Sequence, residues 1–158
     1  MVKKVFGVIP LAVIVTISII MSLSSCGSDT IYINYRHTPT PWEKNDTLLY
    51  ITKKMKVTGE YQEFVELRTT EEYPFSSVTL IIDQQSKPSG FHASDTLKCQ
   101  IADKHGVFGG SGFAYRQFEF PLRKVKIPMG DSLKVTIRHN MRHNMLEGIT
   151  DVGLRLTH

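Results

Sequence analysis

The clearest structural pattern in the chain reads Ser132-Leu133-Lys134-Val135-Thr136-Ile137-Arg138, where apolar and polar side chains alternate. A period of two is typical of a β-strand with one buried face and one solvated face. We therefore expect the three apolar side chains of this stretch to face a core. The preceding Pro128-Met129-Gly130-Asp131 predicts the turn that leads into the strand.

The same strand-like composition recurs on both sides of this stretch. It occupies residues 30–35, 47–55, 61–69, 78–83, 96–102, 115–122, 124–127 and 152–156. Turns rich in glycine and proline separate these stretches, and only residues 141–148 could form a helical turn. The pattern predicts an all-β fold, an antiparallel β-sandwich of about eight or nine strands. Periodicity leaves the topology open between a jelly-roll and an immunoglobulin-like arrangement.

The N-terminal segment has the parts of a secretory signal. Lys3-Lys4 precedes an apolar run over residues 5–21, and Leu23-Ser24-Ser25-Cys26 follows it. Small residues before a cysteine resemble the bacterial lipoprotein box, which implies cleavage before Cys26 and its acylation by chains such as palmitate. The rival interpretation, a transmembrane helix over residues 5–23, does not explain those small residues. The sequence therefore predicts a lipoprotein.

This prediction also sets the domain organisation. Residues 1–25 are a cleaved signal peptide, residues 26–29 a lipid-anchored linker, and residues 30–158 a single β-sandwich domain. Cleavage leaves 133 of the 158 residues, enough for one core. It also removes two lysines, which lowers the formal net charge from +4 to +2. The basic balance is thus partly a targeting feature and predicts no nucleic-acid surface, and the lysines within residues 53–56 are interpreted as a solvated strand face.

The cysteines and histidines give little support to catalysis. Cys99 shares a strand face with apolar neighbours, which predicts a small buried side chain rather than a reactive thiol. With Cys26 acylated, no intrachain disulfide is available. His139 and His143 are four residues apart, but no Cys/His cluster in the sequence completes a metal site.

The remaining polar motifs also have structural interpretations. The glycine-rich residues 106–112 run into a strand and lack the lysine of a phosphate cradle, so they predict a wide turn with positive φ angles. Asp83, Asp95 and Asp103 could bind calcium, but carboxylates near strand ends more often cap turns. Because no convergent set of titratable groups stands out, the sequence predicts no enzyme, no metal and no cofactor.

A short Asp-Ser/Thr-apolar pattern occurs four times, at residues 29–31, 46–48, 95–97 and 131–133. The pattern resembles the acceptor used for O-glycosylation of exported proteins in Bacteroidetes. That resemblance implies modification at Thr47, Thr96 and Ser132. The alternative is that Asp followed by Thr or Ser simply ends a turn and opens a strand.

Several motifs occur together in a fixed order: Trp42 before a strand, Leu67-Arg68 ahead of Tyr73-Pro74-Phe75, Asp95-Thr96-Leu97, Ala102-Asp103-Lys104-His105-Gly106, the 109–112 loop, Met141-Arg142 and Leu146-Glu147-Gly148-Ile149-Thr150-Asp151-Val152-Gly153. Together with the lipoprotein signal, this ordered set resembles the gliding-motility lipoprotein H family of Bacteroidetes. The resemblance spans nearly the whole mature chain. Phe108 stands where we expect a larger aromatic residue, commonly Trp.

The resemblance implies a noncatalytic cell-envelope lipoprotein that supports gliding as an accessory or assembly component, alongside the type IX secretion apparatus. We expect it to be held in the outer membrane by its N-terminal lipid, facing the periplasm. Its expected partners are the membrane and other envelope proteins of that apparatus. The resemblance implies no catalytic residue.

Aromatic and arginine side chains dominate interface energies, so Trp42, Tyr73, Phe108 and Arg142 are the candidate partner contacts. Trp42 has a second interpretation as a lid over the core, which the usual burial of Trp favours. The alternative function is a glycan-binding β-sandwich module, in which Trp42, Tyr73, Phe108 and Tyr115 would form one flat exposed row.

Overall fold

The computed structural model describes residues 30–158. The predicted signal peptide, Cys26 and the linker lie outside the described residues. The strands are β1 (Thr30–His37), β2 (Trp42–Glu43), β3 (Leu48–Ile51), β4 (Gly59–Thr69), β5 (Ser77–Lys87), β6 (His92–Gln100), β7 (Arg116–Ile127), β8 (Ser132–His139), β9 (Met145–Leu146) and β10 (Ile149–Thr157). The all-β prediction is confirmed.

The eight longer strands form two four-stranded antiparallel sheets. One sheet has the order β1-β10-β4-β7 and the other the order β3-β8-β5-β6. Counted along the chain, the first long strand pairs with the eighth, the second with the seventh, the third with the sixth and the fourth with the fifth. These pairs alternate between the two sheets, which is the jelly-roll arrangement of a wrapped hairpin. The structure thus decides the topology that periodicity left open.

A third, two-stranded sheet joins β2 to β9 across one end of the sandwich. No helix within residues 30–158 is long and apolar enough to cross a bilayer. The stretch 141–148, which could have formed a helical turn, instead makes bends and then β9.

The alternation in β8 is confirmed by burial. Leu133, Val135 and Ile137 are fully buried between the sheets. β5, which is apolar on both faces, lies inside its sheet between β8 and β6. Tyr50 of β3 donates from its hydroxyl to the Val152 carbonyl of β10 at 2.8 Å, which links the two sheets through the core.

The predicted strands at 115–122 and 124–127 are one strand, β7, with a bulge. Gln62 pairs with Lys124 and Phe64 with Pro121, so β7 holds one more residue than β4 over this interval. An extra residue reverses which side chains face inward beyond it. The amide Nε2 of Gln62 donates to the Arg123 carbonyl at 3.2 Å and fixes the irregular backbone.

The predicted strand over 47–55 is wrong in its second half. β3 ends at Ile51, and the chain then folds onto the turn before β8. Met55 donates from its backbone N–H to the Asp131 carbonyl at 2.8 Å, and Gly130 donates to the Met55 carbonyl at 2.9 Å. The lysines within residues 53–56 therefore lie in a loop and not on a strand face.

Candidate functional site

The sandwich has two ends with different composition. β1 begins at Thr30 and ends at His37, and β10 runs beside it in the opposite direction. We call the end that holds Thr30 the proximal end and the other the distal end. The distal end is built by the connections 38–47, 70–76, 101–115 and 140–148, and the proximal end by 52–58, 88–91, 128–131 and residue 158.

The four predicted contact residues lie in four different distal connections. Trp42 pairs with Leu146 in the small sheet, so the first and last connections are joined. The Thr70 N–H donates to the Gly148 carbonyl at 2.8 Å, and the Ile101 N–H donates to the Ser76 carbonyl at 2.8 Å. The structure thus brings these connections together into one continuous distal surface.

Trp42 is a buried lid at the distal end. Its side chain is inaccessible to solvent, and its indole Nε1 donates to the Asp46 carbonyl at 3.1 Å. The His139 ring packs edge-on against it, with ring centroids 5.1 Å apart. Burial lowers the pKa of His139, and its Nε2 lies 3.1 Å from the Trp42 carbonyl. A partner contact through the indole would require it to leave the core.

Tyr73 is also buried. Its hydroxyl donates to the Ser77 carbonyl at 2.9 Å, and burial raises the pKa of Tyr73. A Cβ on Gly148 would come within 2.5 Å of the Tyr73 backbone, so glycine at 148 allows the two connections to lie in contact. Tyr73 therefore packs in the core beneath the distal connections and is not itself exposed to a partner.

Phe108 lies partly buried against the core, in the glycine-rich connection. Its backbone forms an isolated bridge with Ala102. Gly106, Gly110 and Gly112 have φ angles of 78°, 76° and 116°. The prediction of a wide turn with positive φ is confirmed, because these conformations suit glycine.

The exposed distal side chains include Arg142 and several that the sequence did not single out. Phe113 is fully exposed at the tip of the glycine-rich connection, while Tyr115 is 53% exposed. Met145 and Val107 are exposed at the same end. Aromatic residues, Met and Arg are the types enriched in protein interfaces. A cluster of glycines around a lone Phe is the signal that could have identified Phe113.

These positions do not form the row that glycan binding through Trp42, Tyr73, Phe108 and Tyr115 requires. Two of the four rings are inside the core and a third is partly covered. Of these four side chains, Tyr115 is the one that is mostly exposed.

The proximal half of the core contains a buried carboxyl group. Glu63 is inaccessible to solvent, and the Gln84 amide Nε2 donates to its Oε2 at 2.9 Å. Among the described residues, Glu63 Oε1 and Gln84 Oε1 have no hydrogen-bond partner. Burial raises the pKa of Glu63 to about 7, against the opposing effects of Gln84 and Arg123. A proton on Glu63 supplies the O–H donor that the two unpaired oxygens lack.

Three residues further along β4, Glu66 lies on the outer face of its sheet and is paired. Arg155 Nε donates to Glu66 Oε1 at 2.6 Å, and Arg155 also pairs with Glu119. The Tyr35 hydroxyl donates to Glu66, and burial followed by this bond raises the pKa of Tyr35 to about 12. A Cβ on Gly153 would lie 2.8 Å from the Tyr35 ring, so glycine leaves room for that ring.

The remaining polar candidates have structural roles. Asp103 Oδ1 accepts from the N–H groups of His105 at 2.8 Å and Val107 at 2.9 Å, which is the predicted turn cap. Asp95 pairs with Arg123 at 3.1 Å. No group of three His, Cys, Asp or Glu side chains within residues 30–158 is arranged to hold a metal ion. Burial raises the pKa of the Cys99 thiol to about 12, as expected for an unreactive cysteine.

The predicted O-glycosylation positions differ in accessibility. Thr47 and Thr96 are exposed, and Ser132 is half-buried. Their modification stays a prediction.

The sequence comparisons agree with one another. A sequence model of the GldH lipoprotein family matches residues 30–156. The gliding motility lipoprotein GldH of Flavobacterium johnsoniae is 31% identical over 141 residues, which cover 85% of this chain and 88% of that protein. The gliding motility lipoprotein GldH homolog of Christiangramia forsetii is 29% identical over 154 residues, which cover 92% of this chain and 94% of the other.

Solved structures show a more distant likeness. A family 35 carbohydrate binding module from Clostridium thermocellum aligns with 82% of this chain and 100% of its own, with a TM-score of 0.44 and 12% identity. A CBM35 from Paenibacillus barcinonensis aligns with 85% of this chain and 95% of its own, with a TM-score of 0.39 and 12% identity. Similarity at this level implies no shared ligand.

Proposed function

The chain belongs to the GldH lipoprotein family, and from this membership we propose that it is a lipid-anchored, noncatalytic protein of the cell envelope. Its role is that of an accessory or assembly component of the gliding motility and type IX secretion-linked machinery. The observation that carries the proposal is the family match over residues 30–156, which begins four residues after Cys26. Acylation of Cys26 holds the protein in the outer membrane, facing the periplasm.

We assign partner contact to the distal end. The exposed Phe113, Tyr115, Met145 and Arg142 combine residue types enriched in interfaces, and the buried Trp42 fixes the small sheet beneath them. A pre-formed surface loses less conformational entropy on binding than a mobile one. The binding surface therefore extends beyond the residues that the sequence singled out.

The proposal is tested by photo-crosslinking in cells that express the protein from its own promoter. A photoreactive phenylalanine analogue replaces Phe113 in one strain and Lys134 in a control strain, because Lys134 is exposed near the proximal start of β8, away from the distal connections. We expect adducts with motility or secretion components from position 113 and fewer from position 134. Equal adduct patterns from the two positions, or none with envelope proteins, would contradict the assignment.

The anchor is tested separately by Cys26→Ala. We expect the variant to carry no acyl chain and gliding or secretion to fall, while mass spectrometry of the wild-type N-terminal peptide detects acyl chains. A wild-type chain with an uncleaved, unacylated N-terminus would overturn the lipoprotein proposal.

A further inference from the structure

The proximal end carries an apolar groove of about 790 Å³ next to the start of the described chain. It lies between β1 and the loop that follows β3. Ile31, Ile33, Ile51 and Val57 line it and are each about half exposed to solvent. An exposed apolar patch on a small protein marks an interaction site.

Lysines accompany these apolar side chains. Lys53, Lys54 and Lys56 line the same groove and are exposed. The acidic residue near the start of β4, Glu60, lies opposite Lys126 in the sheet register, so its charge is offset. Met129, 68% exposed, lies beside this loop because its N–H donates to Thr58 Oγ1 at 2.9 Å. The surface therefore combines aliphatic groups with a net positive charge.

The position of the groove relative to the anchor identifies its occupant. Cys26 and Thr30 are four residue steps apart, so a fully extended chain separates them by at most roughly 14 Å. An acyl chain on Cys26 thus holds the proximal end at the bilayer surface. Aliphatic side chains enter the headgroup region, and lysines near them are attracted to anionic lipid.

We propose that the proximal groove docks on the phospholipid bilayer, with Ile33, Ile51 and Val57 in the headgroup region and the three lysines on anionic lipid phosphates. This inference rests on the proposed function, because the acyl anchor brings the groove to the membrane. Docking orients the sandwich so that its proximal end faces the bilayer and its distal end points away from the lipid.

The test uses the mature acylated protein, which begins at Cys26, reconstituted in vesicles of phosphatidylethanolamine and phosphatidylglycerol that carry brominated acyl chains. Ile51→Cys bears an environment-sensitive fluorophore, and Phe113→Cys bears the same label as the distal control. Cys99 is buried and Cys26 is acylated, so each variant has one reactive thiol. We expect bromine to quench the label at position 51 and to leave the label at position 113 unaffected.

The outcomes separate the groove from the anchor. If the protein floats with the vesicles but the label at 51 is unquenched, or both labels are quenched equally, bilayer docking is wrong while the anchor stands. Shielding at position 51 only after envelope proteins are added would assign the groove to a protein partner and also overturn the inference. Failure to float at all, with no acyl group by mass spectrometry, counts against the proposed function.

A charge-matched pair of variants tests the lysines. Each surface lysine near anionic lipid raises the ratio of docked to undocked protein by roughly fivefold. The double variant Lys53→Gln with Lys54→Gln should therefore lower that ratio by roughly thirtyfold. Lys98→Gln with Lys104→Gln removes the same charge away from the groove and leaves quenching unchanged. We expect added salt to weaken docking of the wild type and to have less effect on the first variant. Equal effects of both pairs would contradict phosphate contact.

Discussion

The two ends of one sandwich expose different apolar chemistry. The proximal end presents aliphatic side chains and lysines, whereas the distal end presents Phe113, Tyr115 and Arg142. Aliphatic groups beside lysines suit a lipid surface, and aromatic residues and arginine are types enriched in protein interfaces. On this difference, and on the short distance between Cys26 and the proximal end, we base the proposal of two separate neighbours, one at each end.

The buried side chains of the two halves also differ, in whether their polar atoms are hydrogen-bonded. The distal half is closed by the fully buried Trp42 and the nearly fully buried Tyr73, whose polar atoms are satisfied by backbone carbonyls. The proximal half instead contains Glu63 and Gln84, each with an unpaired oxygen among the described residues. We expect the distal half to lose stability when its packing is changed, and the proximal half to respond to pH.

The largest expected effect comes from Trp42→Ala. Loss of a fully buried indole and the cavity that remains cost about 3–5 kcal/mol in the free energy of unfolding. Urea denaturation followed by far-UV circular dichroism measures this loss, since the variant has no Trp fluorescence. A cost below about 1 kcal/mol would mean that the distal end closes without its lid.

A smaller effect, dependent on pH, is expected for Glu63→Gln. The folded-state pKa of Glu63 is raised from 4.5 to about 7, so the folded protein binds the proton more tightly than the unfolded chain. The stabilisation is complete below pH 4.5 and is lost as the pH rises through 7. The neutral Glu63→Gln variant should be more stable than wild type by about 3 kcal/mol at about pH 8 and nearly equal at about pH 4.

Glu66→Gln is the matched control for this prediction. Glu66 lies on the same strand but bonds to Arg155, so its neutralisation should destabilise the protein at about pH 8. Urea midpoints measured across the same pH range separate the two carboxylates. If Glu63→Gln loses stability over this range in parallel with the wild type, Glu63 is not the group that titrates.

The smallest effect on stability is expected for Phe113→Ala. The side chain is fully exposed, so the free energy of unfolding should change by less than about 0.5 kcal/mol. Recovery of envelope partners in a pull-down should nevertheless fall, because the proposed distal contact is lost. Unchanged recovery would mean that partners do not bind at Phe113. It would also contradict the assignment of protein contact to the distal end.

Local alternation was sufficient to predict the strands whose pairing is regular. Leu133, Val135 and Ile137 are buried as their period of two requires. The bulge in β7 was not predictable, since it depends on how Gln62 and Arg123 meet across two strands. The loop after β3 was misassigned because its hydrogen bonds go to residues 130 and 131, far along the chain.

The candidate site was predictable only in part. The aromatic residues of the motifs lie at the distal end, but a motif does not reveal which side chains face outward, and Trp42 and Tyr73 face inward. Glu63 lies between Tyr61 and Val65 on the same face of β4, because the three residues are spaced two apart. The strand period alone would therefore have placed this charged group in the core. Pairing of Glu66 with Arg155 joins positions 89 apart and has no local signal.

The first described residue and the end of the last strand are neighbours, because Thr30 pairs with Thr157. A mechanical load that enters through the N-terminus therefore acts directly on the β1–β10 ladder of seven register pairs. If the load is resisted at the distal end, the hydrogen bonds bear it together, in shear. If it is resisted at His158, they open one after another. Attachment at the distal end thus makes the protein a strong mechanical link between membrane and partner, and a fusion at the C-terminus would place its cargo against the lipid.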